Sequence, residues 1–116
     1  MICHVTVHTA KLKETLEFYQ WLLDLPVAKT LKTPRGDILF LGENETKFEL
    51  IEDTGAGSVE VKNLTVGFSV EDLGAKLAML DGKGIPHSEV ISPSPNTRFA
   101  YFTDLNGCKI QLFEEK

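Results

Sequence analysis

Three short stretches of this 116-residue chain place chemically active side chains at alternating positions. The stretch "HVTVHT" begins at His4 and carries Thr6 and His8, "TKFELIED" carries Glu49, and "CKIQLFEE" carries Gln111. Successive side chains of a strand point to opposite faces, so these residues share a face with polar neighbours while apolar residues occupy the other face. An imidazole, a carboxylate and an amide can hold a polar ligand by hydrogen bonds, and the first two also suit divalent metal ions. The spacing therefore predicts a polar sheet face with binding chemistry.

The hydrophobic periodicity predicts the elements that position these residues. A strand over about residues 2–8 is followed by a helix in "AKLKETLEFYQWLL", with Thr9 as its N-cap and with an apolar stripe of Leu12, Leu16, Tyr19 and Leu23. Three further strands follow, in "PVAKTLKT", "GDILFLG" and "TKFELIE", the last two joined by a turn around Asn44. The second half repeats this order with a strand in "NLTVGFSV", a helix in "EDLGAKLAMLDGKG", and strands in "PHSEVIS", "RFAYFTD" and "CKIQLFE". We therefore expect an α+β protein built from two tandem βαβββ modules, whose curled mixed sheet forms a cup with the helices on its outer face.

An internal repeat supports this division. When residues 36–53 are laid over residues 98–115 without a gap, five of the eighteen positions are identical: Phe40 and Phe102, Asn44 and Asn106, Lys47 and Lys109, Leu50 and Leu112, Glu52 and Glu114. Such a repeat indicates a duplicated structural unit, which determines the fold. We predict a single domain over residues 1–116, with a first module at about 1–53, a linker at about 54–61 and a second module at about 62–116.

Composition and charge exclude several classes of partner. The formal net charge is -5, which disfavours nucleic acid and anionic membrane surfaces. No apolar run approaches the roughly 20 residues that span a bilayer, and the strand-like start differs from a signal peptide. Cys3 and Cys108 have no metal-type spacing, and two cysteines cannot form a disulfide framework. We expect a cytoplasmic protein that binds neither nucleic acid nor membrane.

The polar face also predicts the residues that contact a small molecule. Val5, Val7 and their counterparts in other strands face the helices, and the opposite face lines the cup. Arg98 follows "SPSPNT", a stretch with the composition of a mobile lid, and arginine suits a ligand carboxylate or phosphate. Aromatic side chains on the same face would supply apolar walls. The predicted ligand-binding residues are His4, Thr6, His8, Glu49, Thr65, Arg98, Tyr101, Gln111 and Phe113.

The chain resembles the vicinal oxygen chelate superfamily, which includes glyoxalase I, extradiol dioxygenases and the fosfomycin- and bleomycin-resistance proteins. "ICHVTV" followed by "LEFYQWLLDLPV" is similar to the opening strand and helix of that family. "FTDLNGCKIQLFE" is similar to its closing hairpin, although Leu105 and Asn106 stand in the middle of the usual Asp-Pro-Asp-Gly turn. The resemblance implies a homodimer, and it implies that a metal such as Zn, Ni or Mn would be held at the positions of His4, Glu49, Thr65 and Gln111.

The residues at these four positions leave three functions open. Thr65 is a poor ligand and Gln111 offers only a neutral oxygen, so the first hypothesis is a small-molecule-binding protein with a degenerate metal site and no metal or a weakly held one. The second hypothesis is a glyoxalase-like lyase or isomerase, in which His4, Glu49 and Gln111 hold one divalent metal and Glu49 is the catalytic base. The third is a non-catalytic interaction domain. His8 is predicted to lie roughly 13 Å from His4 along the strand, too far to complete a metal site with it.

Overall fold

The computed structural model describes residues 1–44 and 46–116. The chain divides into two units, Met1–Gly57 and Ser58–Lys116. Each unit contains one helix and one four-stranded sheet, so the predicted α+β class and the two tandem βαβββ modules are confirmed. The mixed strands form two four-stranded sheets, one in each unit. Glu45, which belongs to the predicted turn around Asn44, lies outside the described residues.

Unit 1 contains strands β1 to β4 and helix α1. The elements are β1 (His4–Thr9), α1 (Leu12–Leu23), β2 (Val27–Thr33), β3 (Gly36–Leu41) and β4 (Lys47–Glu52). The strand order is β1-β4-β3-β2, with β1 parallel to β4 and the other neighbours antiparallel. The prediction that Thr9 is the N-cap of α1 is wrong: Lys11 occupies that position without a side-chain cap, and the Thr9 hydroxyl accepts a hydrogen bond from the Lys11 amide at 2.9 Å.

Unit 2 repeats this arrangement. Its elements are β5 (Val66–Ser69), α2 (Leu73–Gly82), β6 (Ile91–Ser94), β7 (Thr97–Thr103) and β8 (Lys109–Glu115), in the sheet order β5-β8-β7-β6. The strand predicted in "PHSEVIS" begins later than expected, and His87 forms only an isolated bridge with Phe102. The segment "SPSPNT", predicted to be a lid, lies in the β6–β7 hairpin. Neither described helix is long and apolar enough to cross a membrane.

The buried face of α1 differs from the predicted stripe. Thr15, Tyr19 and Leu22 are buried, whereas Leu12, Leu16 and Leu23 are only half-buried. The buried set also follows helical spacing, but it is rotated relative to the predicted set because the polar Thr15 lies toward the sheet. The Tyr19 ring meets the Phe48 ring of β4 edge-on, with 5.0 Å between centroids. In unit 2 the buried residues of α2 are Leu73, Leu77 and Leu80, and this helix packs on β7 and β8.

The sheet register corrects the gap-free overlay of the two halves. Phe40 lies opposite Glu49 on the β3–β4 ladder, and Tyr101 lies opposite Gln111 on the β7–β8 ladder. The structural counterpart of Phe40 is therefore Tyr101 and not Phe102. The shift arises because the paired residues Phe40 and Glu49 are nine positions apart in the chain, whereas Tyr101 and Gln111 are ten positions apart. Glu49 and Gln111 remain counterparts, as the overlay predicted.

Candidate functional site

A carboxylate with one side-chain donor and a neighbouring imidazole lies on the face of the unit 1 sheet that points away from α1. Thr6 and Glu49 are neighbours on the parallel β1–β4 ladder, and the Thr6 hydroxyl donates a hydrogen bond to Glu49 Oε1. The His4 Nε2 atom lies 3.4 Å from the same oxygen. Glu49 is 8% exposed. A buried carboxylate is costly unless it is paired or hydrogen-bonded, and here the Thr6 hydroxyl supplies a hydrogen bond and the His4 ring lies within ion-pair distance. We call His4, Thr6 and Glu49 the carboxylate cluster.

The imidazole of the carboxylate cluster is oriented by two further contacts. The His4 ring meets the Phe40 ring edge-on at 5.7 Å between centroids, and Cys3 Sγ lies 3.3 Å from His4 Nδ1. With its proton on Nε2, the His4 ring accepts from the Cys3 thiol at Nδ1, and its Nε2 lies within ion-pair distance of Glu49. Thr6 and His4 both reach Oε1 of Glu49, and no donor within the described residues reaches Oε2. The cluster thus presents an anionic oxygen to an incoming N–H or O–H group.

Gln111 in unit 2 is the counterpart of Glu49, but its surroundings differ. Its Nε2 donates to the Tyr101 hydroxyl at 3.3 Å. Gly67 stands where unit 1 has Thr6, and a Cβ at Gly67 would lie 3.1 Å from Gln111 Oε1. The amide therefore bonds to a cross-strand tyrosine, and its carbonyl oxygen faces a position without a side chain. A glutamine here supplies a neutral donor and acceptor in place of a charge.

Three aromatic rings cover the same face of unit 2. Phe99 and Phe113 are stacked with centroids 6.1 Å apart, and Phe99 meets Tyr101 edge-on at 5.7 Å. Such a surface suits the flat apolar part of a ligand. Sequence reasoning named Tyr101 and Phe113 but missed Phe99. The alternation of β7, which puts positions 99 and 101 on one face, was the signal that could have found it.

The remaining predicted site residues lie apart from these two groups within their units. Arg98 Nε lies 3.2 Å from Glu114 Oε1, and the other Glu114 oxygen accepts from the Leu73 amide at the start of α2. These contacts, the Leu73 hydrogen bond first, lower the pKa of Glu114. Thr65 is exposed and precedes β5. His8 lies at the far end of β1 from His4, with its Nδ1 3.7 Å from Asp53 Oδ2.

The donors of unit 1 do not complete a catalytic metal site. Two strong donors, His4 Nε2 and Glu49 Oε1, lie 3.4 Å apart. In residues 1–44 and 46–116 there is no group of three His, Cys, Asp or Glu side chains that could hold a metal ion. Catalytic zinc sites usually take three ligands from the protein. The carboxylate cluster supplies two, and one of its oxygens is already shared with a hydroxyl donor.

The sequence pattern of the Glyoxalase/Bleomycin resistance protein/Dioxygenase superfamily matches residues 1–112. The chain belongs to this superfamily. Solved structures of the family share its fold. The glyoxalase I of Leishmania major, described as trypanothione-dependent, superposes with a TM-score of 0.81 at 22% identity, and the match covers 99% of this chain and 86% of that one. No curated protein matches the chain.

Two other members of the superfamily show the range of functions on this fold. The fosfomycin resistance protein FosX of Listeria monocytogenes, in complex with Mn(II) and sulfate, superposes with a TM-score of 0.76 at 15% identity, over 97% of this chain and 88% of that one. TnmS3, an antibiotic-binding protein of Streptomyces sp. CB03234, superposes with a TM-score of 0.73 at 17% identity, over 100% and 96% of the two chains. At these identities the likeness establishes the fold, and a function must be argued from the site.

Proposed function

We propose that the chain is a small-molecule-binding protein of the glyoxalase/bleomycin-resistance type that needs no metal to hold its ligand. The observation that supports this proposal is the pattern of contacts at the two carboxylate oxygens of Glu49. Its Oε1 already accepts from Thr6 and lies near His4, while Oε2 has no donor within the described residues. A hydrogen bond to a charged oxygen is stronger than one between neutral groups. An organic ligand with an N–H or O–H group is the natural partner of this oxygen.

Unit 2 carries a candidate ligand surface of its own, which we propose separately from the carboxylate cluster of unit 1. Phe99, Tyr101 and Phe113 form a ring surface, and Gln111 adds a neutral amide beside it. Rigid aromatic side chains bind flat ligands at a low cost in conformational entropy. The ligand class proposed for this surface of unit 2 is therefore an aromatic molecule. TnmS3, which binds an antibiotic on the same fold, is the relative whose described function agrees with this proposal.

For the carboxylate cluster, the test is a thermal-shift screen of small molecules that carry N–H or O–H groups, with EDTA present, followed by calorimetric titration of each hit. We expect at least one ligand whose affinity survives EDTA and falls roughly tenfold or more in Glu49→Gln, since a charge-assisted hydrogen bond is lost. Glu89→Gln is the matched control, because it removes the same charge from an exposed position of unit 2. No response to any ligand would contradict the proposal and favour a non-catalytic interaction domain.

The second candidate is a metal-dependent lyase or isomerase, with Glu49 as the catalytic base and with His4, Glu49 and Gln111 as the proposed ligands. The spacing of His4 Nε2 and Glu49 Oε1, 3.4 Å, favours it. Two ligands at about 2.1 Å from a tetrahedral ion would be separated by roughly that distance. A ligand response that requires a divalent metal and disappears in EDTA would support this candidate over the first.

We also propose that the protein forms a homodimer. The support is the edge strand β2, in which every residue is exposed, including the apolar Val27 and Leu31. Exposed apolar edge strands are sites where a second chain can pair. Sedimentation velocity should show a dimer at micromolar concentration, and Leu31→Lys should shift it toward the monomer. A monomer at all concentrations would contradict this part of the proposal.

A further inference from the structure

Unit 1 contains a second recess, away from the carboxylate cluster. It lies where β1 ends and the β2–β3 hairpin turns, and its volume is about 510 Å³. Known ligand sites occupy roughly 300 to 1,000 Å³. Its acidic and basic lining residues are Asp37, Glu52 and Asp53, together with Arg35 and His8. We call this recess the edge cleft.

Unit 2 has an ion pair at the position that corresponds to this part of unit 1. On the β7–β8 ladder Arg98 lies opposite Glu114, and their side chains form an ion pair at 3.2 Å. The counterpart of Glu114 is Glu52. One step beyond the Ile38–Ile51 pair on the β3–β4 ladder, the residue opposite Glu52 is Asp37. Unit 1 thus has a carboxylate where unit 2 has a guanidinium. Like charges directly across a ladder are destabilising.

The contacts of the two acids leave Glu52 without a cation. Asp37 Oδ2 pairs with Lys32 Nζ at 2.8 Å on the exposed side of the hairpin. Glu52 Oε1 accepts from the Asp37 amide at 3.2 Å, and within the described residues no cationic group lies within ion-pair distance of it. The Glu52 side chain lies so close to the backbone that a Cβ at Gly36, where φ is 130°, would lie 2.3 Å from Oε1.

The third acid and the two basic groups complete the lining. Asp53 Oδ1 accepts from the Gly55 amide, and its Oδ2 lies 3.7 Å from His8 Nδ1. Arg35 is exposed, and its guanidinium forms no ion pair within the described residues. The acids outnumber the basic groups of the cleft. Their side chains do not form a metal-binding group, so a compact metal ion is not the occupant that they fit.

We propose that the edge cleft binds an organic cation with planar N–H donors, a guanidinium or amidinium group, against Glu52. The bound group takes the role that Arg98 has beside Glu114 in unit 2. A planar fork of N–H groups matches the two oxygens of a carboxylate. The proposal depends on unit 1 alone and is independent of the function proposed for the carboxylate cluster, since no residue of that cluster lines the edge cleft.

The test is calorimetric titration of the protein with benzamidine at low ionic strength, with benzoate as the probe of opposite charge. The key variant is Glu52→Gln, which keeps an oxygen to accept from the Asp37 amide and removes the charge. Glu89→Gln is the matched control for net charge. Arg35→Gln removes the competing cation of the cleft. Glu49→Gln tests whether the carboxylate cluster takes part.

We expect benzamidine to bind, to lose roughly tenfold or more in affinity in Glu52→Gln, and to gain severalfold in Arg35→Gln. Glu89→Gln should bind it as the unmodified protein does. Binding that is absent, or equal in Glu52→Gln and the unmodified protein, would overturn the proposal. Binding of benzoate that is lost in Arg35→Gln would overturn it too, because the cleft would then be an anion site. Loss of benzamidine affinity in Glu49→Gln alone would place the cation at the carboxylate cluster and refute the assignment to the edge cleft.

Discussion

Replacing Thr6 by valine tests the internal structure of the carboxylate cluster. Valine keeps the shape and the strand preference of threonine, so the substitution removes little more than the hydroxyl that donates to Glu49. A hydrogen bond to a charged group contributes about 1.5 to 3 kcal/mol to stability. Because Thr6 is exposed on its other side, we expect the lower end, a loss of about 1.5 kcal/mol.

The same loss can be expressed as a melting temperature. For a chain of this size the entropy of unfolding makes 1 kcal/mol worth roughly 4 °C, so Thr6→Val should melt roughly 6 °C lower. Urea unfolding followed by circular dichroism measures the free energy directly. Thr6→Ser, which keeps the hydroxyl, is the control and should lose much less.

A double-mutant cycle assigns the loss to the contact with Glu49. In the Glu49→Gln background the hydroxyl meets a neutral oxygen, and Thr6→Val should then cost only about 0.5 to 1 kcal/mol. Equal stability of Thr6→Val and the unmodified protein would refute the reasoning, because the hydroxyl would then contribute nothing to the burial of Glu49. Equal losses in both backgrounds would show that the charge of Glu49 is irrelevant to the contact.

Other predictions concern pH and the core. Hydrogen bonding to the Ser88 carbonyl raises the pKa of His87. The protonated His87 therefore contributes its full stabilisation below pH 6.5, and this stabilisation is lost as the pH rises through the pKa of His87 in the folded protein. In thermal unfolding from pH 5 to 9, the stability of His87→Asn should converge with that of the unmodified protein at high pH. The hydrogen bond from the Leu73 amide lowers the pKa of Glu114 below the usual 4.5. The ionised Glu114 therefore stabilises the fold above pH 4.5, and this stabilisation is lost as the pH falls through the pKa of Glu114 in the folded protein. In an acid titration, the stability of Glu114→Gln should converge with that of the unmodified protein at low pH. Leu50→Ala, at a fully buried position, should lose about 2 to 5 kcal/mol in urea unfolding, and a loss below 1 kcal/mol would contradict its place in the core.

The periodicity of the sequence predicted the elements because each strand has one apolar and one polar face. Val7, Phe48, Leu50, Ile110 and Leu112 are all buried as the alternation predicts. The bounds of the elements were less predictable, since they depend on backbone hydrogen bonds with distant strands. The helix α1 illustrates this: its first turn begins after Lys11, although Thr9 has the better capping side chain.

The register of the repeat could not be read from identities alone. Phe40 and Phe102 matched in the overlay, but Phe102 is buried while Phe40 lies opposite Glu49 on the polar face. The corresponding ladder pairs are one position further apart in the chain in unit 2, and a shift of one position moves a side chain to the opposite face. Sequence identity at one aromatic position gives no information about that shift.

The residues of the carboxylate cluster were predicted, but its hydrogen bonds were not. His4, Thr6 and Glu49 follow from alternation and from the family resemblance. That Thr6 and His4 meet on one oxygen of Glu49 depends on the parallel β1–β4 register, which joins residues about 43 positions apart. Arg98 shows the opposite case. The composition of the preceding segment suggested that Arg98 contacts a ligand, whereas its place opposite Glu114 gives it an ion-pair partner within the protein.

The most direct test of a cluster that works without metal is elemental analysis of the protein purified without chelators. Because Glu49 is already paired with Thr6 and His4, we expect zinc, nickel and manganese each to be far below one ion per chain. Close to one ion per chain, lost in both His4→Ala and Glu49→Ala, would contradict the account and establish a resident metal at these side chains.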